Sequence, residues 1–384
     1  MVRIQGVNSL TELYKILQEK GISESDFGNY ANQFLEAKAR RCLVPLSGSF
    51  ELTPLCNLDC KMCYAHLSTE QFNTNNHLSV KQWITLIEQA HAEGMLNATL
   101  TGGECLIYPG FDELYLYLYG LGIRPGIMSN GVLMDENRIK ILKRYPPKMI
   151  QISLYGSSEE AYEKVTGHRA FRTVYHNLYL LRKEGLPVKI TITPNEYMEN
   201  DIDAFFRIVE TLDIPYNINA NLIPPRKNTG RIVKDLPVDK YIEIYKAKSC
   251  MHFENDSYSD SQELQKGHQK SYNSYGLECG AGRSAFTIMY DGSMCPCSSL
   301  DEMIVKPLDI GFKKAWNQLN DLANAYPLPQ ECNGCVLYDR CLHCAAMHKN
   351  APLTGHCDPR ICERTKKLIH AGLIPGTDSD GIIC

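Results

Sequence analysis

Cysteine carries the chemistry of this sequence. Three of the 16 cysteines fall within one short stretch, Cys56-Asn57-Leu58-Asp59-Cys60-Lys61-Met62-Cys63, with Tyr64 directly behind. Three thiolates so close together can converge on one inorganic cluster. A [4Fe–4S] cube normally takes four thiolates, so three leave one iron open to another molecule. An open iron makes a cluster a catalyst as well as an electron carrier. A zinc knuckle or three unrelated thiols are the plainer readings. A second field holds Cys279, Cys295 and Cys297, then Cys332, Cys335, Cys341 and Cys344, then Cys357 and Cys362. These suffice for two four-cysteine sites with one left over, and the stretch Cys332–Cys344 alone also fits a zinc ribbon. The start, MVRIQGVNSLTEL, has no apolar core and does not read as a secretion signal. A reducing cytoplasmic setting is therefore expected, where dense cysteine means metal or catalysis rather than disulfides.

These cysteines need a scaffold, and residues 48–224 supply its pattern. Short β-rich runs alternate with helical stretches: SFELTP (49–54), NATLTGG (97–103), RPGIMSN (124–130), MIQISLYG (149–156), VKITITP (188–194) and YNINANLIP (216–224). Helical stretches such as 80–94 and 175–185 lie between them. Six β-α repeats imply a parallel sheet with helices outside. Right-handed crossovers curl such a sheet into a full or partial barrel, whose reactive edge is formed by the loops after the strands. Polar residues and glycines cluster there: Thr101-Gly102-Gly103-Glu104 after the second run, Ser129-Asn130-Gly131 after the third, and Ser153-Leu154-Tyr155-Gly156 after the fourth. Ahead of the barrel, residues 8–40 read as two short helices, with Ser9 a candidate cap for the first. Residues 252–275 read as a loop or linker.

Composition narrows the function classes. The chain has 384 residues with 44% hydrophobic and 22% charged, the balance of a soluble globular protein. The net charge is −4 and the basic residues are scattered, which argues against a nucleic-acid partner. No apolar run approaches the roughly 18 residues that span a bilayer, so no membrane partner is expected.

The CxxxCxxC spacing with its aromatic, placed at the end of a first barrel strand, resembles the radical S-adenosylmethionine (SAM) superfamily. The resemblance implies an α/β fold, a partial (β/α)6 TIM-like barrel. It also implies a [4Fe–4S] cluster on Cys56, Cys60 and Cys63, with SAM on the open iron as the source of a 5′-deoxyadenosyl radical. Thr101-Gly102-Gly103-Glu104 matches the GGE segment that holds the SAM amino group, although Cys105 stands where the family usually has proline. Ser129, Asn130 and Ser153 become candidate SAM contacts, and Tyr155 stands where many relatives have aspartate. The second cysteine field resembles the SPASM domain, which carries up to two auxiliary [4Fe–4S] clusters. By that resemblance Cys332, Cys335, Cys341 and Cys357 hold an outer cluster, and Cys279, Cys295 and Cys344 an inner one. Cys297 stands in for a missing upstream cysteine, or the inner cluster keeps an open iron.

The implied organisation is an N-terminal helical segment (1–47), a radical SAM partial barrel (48–235), a bridging region (236–278), a small cysteine-rich SPASM-type domain (279–365) and a tail (366–384). The implied activity is that of a radical SAM oxidoreductase. It would abstract hydrogen from a peptide or protein substrate and draw electrons from a flavodoxin- or ferredoxin-like partner. A small-molecule substrate is the first alternative. A sulfatase-maturing role is disfavoured by Pro296 and Ser298, which follow Cys295 and Cys297 where such enzymes carry aspartate. A zinc-binding interaction protein is the non-enzyme alternative.

Overall fold

The structure, a computed structural model, describes residues 9–19, 21, 24–65, 77–198, 201–219, 222–223, 226, 236–250, 276–277, 279–327, 329–332, 335–341, 344–348 and 359–373. Cys357 and Cys384, and the 252–275 stretch read as a linker, lie outside the described residues.

Two helices open the chain, α1 (Leu10–Glu19) and α2 (Glu24–Cys42). Ser9 caps α1 as expected, its hydroxyl accepting from the Glu12 amide at 3.1 Å. The two helices pack on their own small core of Leu13, Leu17 and Phe34.

The six expected strands all form: β1 (Ser47–Glu51), β2 (Asn97–Thr101), β3 (Gly126–Ser129), β4 (Met149–Ser153), β5 (Val188–Ile192) and β6 (Tyr216–Ile218). Each pairs in parallel with the next. Parallel strands need helices on their faces, and these cross over as α3 (Val80–Ala92), α4 (Phe111–Gly120), α5 (Glu136–Arg144), α6 (Glu159–Thr166), α7 (Phe171–Lys183) and α8 (Ile202–Leu212). The α3 start is fixed by a reciprocal cap. Ser79 Oγ accepts from the Gln82 amide, while Gln82 Oε1 accepts from the Ser79 amide at 2.9 Å. The core between sheet and helices contains Phe50, Trp83, Leu86, Leu100, Leu114, Ile127, Ile150, Leu178, Ile190 and Phe205.

The sheet does not close, and it does not stop at six strands. Its order is β6-β5-β4-β3-β2-β1-β7-β8. β7 (Ala285–Ile288) comes from the cysteine-rich segment and pairs in parallel with β1, while β8 (Met294–Cys295) turns back antiparallel to β7. Phe286 drives this addition. Its ring meets Phe50 of β1 at 6.1 Å, and Phe312 and Trp316 of the helix Phe312–Ala325 at 5.1 and 6.1 Å. Gly48 of β1 leaves room for that ring, since a Cβ there would lie 2.6 Å from it. The same helix is tied on by polar contacts: Trp316 Nε1 donates to the Leu43 carbonyl at 2.6 Å, and the Phe312 amide to Gln89 Oε1 at 2.9 Å. The front of the cysteine-rich segment is thus built into the barrel as a further strand and helix. Periodicity did not show this, because β7 is four residues long and lies far in sequence from the strand it joins.

Phe286→Ala is expected to destabilise the fold by about 3–5 kcal/mol, the range for an aromatic removed from a packed core. Urea unfolding followed by circular dichroism measures it. A loss under 1 kcal/mol would mean that β7 is not held by this contact.

Candidate radical SAM site

Parallel alignment brings the ends of β1 to β4 to one edge, and every residue expected at the first site lies there. Cys56, Cys60 and Cys63 occupy the loop after β1. Gly102, Gly103 and Glu104 follow β2. Ser129 ends β3 with Asn130 next to it, and Ser153 ends β4.

The cysteine loop is fastened on both sides. Beyond the β1–β2 ladder, the Gly103 amide donates to the Thr53 carbonyl at 2.7 Å and the Glu104 amide to the Leu55 carbonyl at 2.8 Å. The chains approach so closely that a Cβ on Gly102 would lie 2.4 Å from the Thr53 oxygen, and one on Gly103 2.3 Å from the Leu55 oxygen. Gly102 also has φ +150°. The glycine pair therefore admits the neighbouring loop as well as any ligand. On the other side, the Asp59 amide donates to the Thr166 carbonyl at 2.8 Å and the Lys61 amide to the Val165 carbonyl at 2.9 Å, which pins Cys60 against the last turn of α6.

The three thiols are close enough to act on one another. Cys60 is buried and Cys56 faces the open edge. Desolvation pushes the Cys56 thiol up to about 11; the Leu58 amide opposes this, and the charges of Glu104 and Cys63 add to it. Burial and the neighbouring Cys63 and Cys56 raise Cys60 further, against a hydrogen bond from Tyr155. Thiols that resist ionisation together release their protons when a cation binds among them. Among the described residues no three ligating side chains converge as they would on a single metal ion. A cube holds each thiolate on its own iron, so its ligands stand farther apart than those of one ion. The donor set fits such a cluster.

Glu104 is buried and its carboxylate binds the neighbouring turn. Oε1 accepts from the Leu106 amide at 3.1 Å and Ser129 Oγ at 2.9 Å, while Oε2 accepts from the Asn130 amide at 2.7 Å. Burial raises its pKa, and these donors pull it back. The Cys105 thiol also reaches Oε1, at 3.8 Å, so Oε1 is fully engaged; each carboxylate oxygen has about two acceptor positions, and roughly one remains on Oε2 for an ammonium group. Asn130 reaches the cysteine loop, its Nδ2 donating to Asn57 Oδ1 at 2.7 Å and to Cys56 Sγ at 3.6 Å. Ser153 hydrogen-bonds Tyr155, which in turn bonds Cys60. Cys105 is a buried filler whose Sγ donates to the Met128 carbonyl at 3.3 Å. Arg169 lies on the surface and pairs with Glu160 and Glu163 of α6.

In the second field, Cys279, Cys297 and Cys344 act on one another electrostatically. They lie beside an apolar cluster of Leu277, Ala281, Leu300, Ala323 and Ala346. Cys295 turns elsewhere: burial raises its thiol, and the charges it feels most are those of Glu51 and Arg226. Its Sγ donates to the Cys297 carbonyl at 3.3 Å. Cys332 and Cys335 share a turn, the Cys335 amide donating to the Cys332 carbonyl at 3.2 Å. Cys341 follows Tyr338–Arg340, and Cys362 is half-buried in the helix Pro359–His370.

Two residues missed by the sequence reading join the cysteine regions. Glu51, the last residue of β1, and Arg226, beyond β6, form a buried two-pronged ion pair at 2.9 and 2.5 Å. Arg226 Nε donates to the Ser298 carbonyl at 2.7 Å, and its amide to the Tyr64 carbonyl at 2.8 Å. Its guanidinium lies 5.2 Å from the Tyr64 ring centre, and the Tyr64 hydroxyl donates to Ser298 Oγ at 3.1 Å. Burial works against the Arg226 charge, but Glu51 outweighs it and holds the group protonated. Tyr64 is pushed up to about 12, chiefly by burial. The one signal available was a glutamate inside an apolar strand run.

The open parallel sheet with three cysteines after its first strand is the arrangement expected of a radical SAM barrel. Residues 50–207 match the Radical SAM superfamily. It is 25% identical over 261 residues to the sporulation killing factor maturation protein SkfB of Bacillus subtilis (strain 168), covering 67% of this chain and 61% of that protein. It is 23% identical over 300 residues to the antilisterial bacteriocin subtilosin biosynthesis protein AlbA of the same organism, covering 75% and 62%. The chain thus spans less than two thirds of the length of either relative. The crystal structure of Streptococcus suis SuiB bound to its precursor peptide SuiA superposes with a TM-score of 0.65 at 18% identity, over 94% of this chain and 84% of that one. That likeness is one of fold. Among the described residues no helix is long and apolar enough to cross a membrane.

Arg226→Gln is expected to cost about 3–5 kcal/mol, because it leaves Glu51 buried without its partner. The double variant Glu51→Gln/Arg226→Gln should recover a large part of that loss. Denaturant unfolding of the wild type, both single variants and the double variant measures this, and a double-variant loss equal to the sum of the two single losses would show that the pair is not coupled.

Proposed function

We propose that the chain is a radical SAM enzyme that modifies a peptide. The observation that carries this reading is the loop of Cys56, Cys60 and Cys63, fixed between the Gly102-Gly103 backbone and α6, with Ser129 and Asn130 beside it. When bound, a [4Fe–4S] cluster with SAM on its open iron supplies the electron that cleaves SAM and the 5′-deoxyadenosyl radical that abstracts hydrogen. The three cysteines would hold the cluster. The remaining acceptor position on Glu104 would take the SAM ammonium, with Gly102, Gly103, Ser129, Asn130 and Ser153 lining the rest. The apolar barrel beneath them excludes water.

Auxiliary clusters are part of the proposal. The mutual approach of Cys279, Cys297 and Cys344 supports an inner cluster on these three, with Cys295 turned toward the Glu51–Arg226 pair. Cys332, Cys335 and Cys341, with Cys357, would hold an outer one. In this division residues 48–235 are the catalytic barrel, to which β7 adds an edge, and 279–365 the auxiliary-cluster domain. A peptide substrate is supported by the relatives: SkfB and AlbA are named for maturation of a killing factor and biosynthesis of a bacteriocin, and SuiB was solved with a precursor peptide. A cytoplasmic reductant of the flavodoxin or ferredoxin kind would supply electrons.

Iron and acid-labile sulfide per chain test the reading after anaerobic reconstitution. Three four-iron clusters predict about 12 iron in the wild type and about 8 in a Cys56/Cys60/Cys63→Ala variant. The same variant should lose reductive cleavage of SAM to 5′-deoxyadenosine and methionine. Undiminished cleavage in the variant would overturn the assignment. About 4 iron in the wild type would remove the auxiliary clusters.

A further inference from the structure

Cys60 has a neighbour that the radical SAM reading leaves without a role. Tyr162 lies in α6, one turn before the Val165 and Thr166 carbonyls that bracket Cys60 through the Lys61 and Asp59 amides. Its side chain is 0% exposed, and its hydroxyl has no hydrogen-bond partner among the described residues. The rest of the residue is well held. Its carbonyl accepts from Thr166 Oγ1 at 2.8 Å, and its ring packs edge-on against Tyr155 at 5.9 Å and tilted against Phe171 at 6.4 Å. Gly156 gives α6 the space to approach, since a Cβ there would lie 2.8 Å from the Tyr162 nitrogen.

A buried hydroxyl with no partner costs roughly 1–3 kcal/mol. Phenylalanine would fill the same volume without that cost. The charges acting on the hydroxyl come from Cys60, Glu104, Glu159 and Cys56, three of them at the radical SAM site. The adjacent Tyr155 already directs its hydroxyl to Cys60. Tyr155 thus bonds Cys60, and Tyr162, edge-on to its ring, is buried beside the same site with a hydroxyl that finds no acceptor among the described residues.

We propose that the Tyr162 hydroxyl donates a hydrogen bond to the iron–sulfur cluster of the Cys56–Cys63 loop, at the Cys60 thiolate or a cluster sulfide, and thereby sets how readily that cluster takes up an electron. The inference rests on the cluster assignment above. Reduction adds negative charge to the cluster sulfurs, so a donor aimed at them favours the reduced form. Tyr162 acts here as a positioning and tuning residue, without touching substrate.

The test is Tyr162→Phe in the reconstituted full chain, read by redox titration of the reduced-cluster electron paramagnetic resonance signal, with and without SAM. At a fixed applied potential the ratio of reduced to oxidised catalytic cluster should fall roughly fivefold, because the lost hydrogen bond is stronger by about 1 kcal/mol in the more negative, reduced form. The shift should be present without SAM. In the cluster-free protein the same substitution should leave the melting temperature unchanged or raise it. A catalytic-cluster signal with an unshifted potential overturns this inference alone. A shift seen only with SAM moves the acceptor to SAM and also overturns it. A melting-temperature loss, or failure to fold, shows that the hydroxyl already has a partner such as Glu159, with the same consequence. Absence of any signal that depends on Cys56, Cys60 and Cys63 overturns the cluster assignment itself, and this inference with it.

Discussion

The contact on which the site depends is between two backbones. Gly102 and Gly103 lie against Thr53, Pro54 and Leu55 with no space for a side chain. The hydrogen bonds made there extend the β1–β2 pairing past the strands and into the cysteine loop. Three like-charged thiolates repel one another, and a free loop would relax by separating them. Fastening the loop to β2 before Cys56, and to α6 around Cys60, removes that freedom ahead of any ligand. Glu104 continues the same chain of contacts, because its carboxylate bonds the backbone and side chain of the turn after β3. One sequence of hydrogen bonds thus runs from the cysteine loop across the ends of three strands.

Buried charge performs a similar task between the two cysteine regions. Glu51 and Arg226 would be costly inside the protein if either were alone. The paired guanidinium anchors the Ser298 carbonyl, next to Cys297, while the backbone amide of Arg226 holds the Tyr64 carbonyl, next to Cys63. One residue, Arg226, therefore ties the two regions together, through its amide on one side and its guanidinium on the other. The β7 addition works in the same direction, as it places Cys295 on the sheet that carries Cys56.

Much of the site was legible in the sequence. The Cys56–Cys63 spacing, the GGE turn and the six β-α repeats rest on local chemistry: ligand types at short separation, glycines where side chains cannot fit, and period-two apolar runs. The parallel six-stranded sheet expected from that alternation is present, open rather than closed and extended by β7 and β8. What stayed hidden involves partners distant along the chain. Arg226 gains meaning only beside Glu51, 175 positions away. Residues 285–288 are too short a run to identify as a barrel strand without the Phe50 ring and the Gly48 gap they fit. The glycine pair was read as a place for a ligand, and its partner proved also to be the neighbouring loop.

The sequence by itself therefore determined the class of fold and the edge of the sheet to which Cys56, Cys60 and Cys63 are brought. Tertiary structure decided which carboxylate is spoken for, which thiols face one another and which phenol is left without an acceptor. The physical reason is that local spacing restricts only the groups within a turn or a strand. Desolvation, charge pairing and hydrogen-bond satisfaction are settled between elements, and they exist only once the sheet has brought its strand ends together.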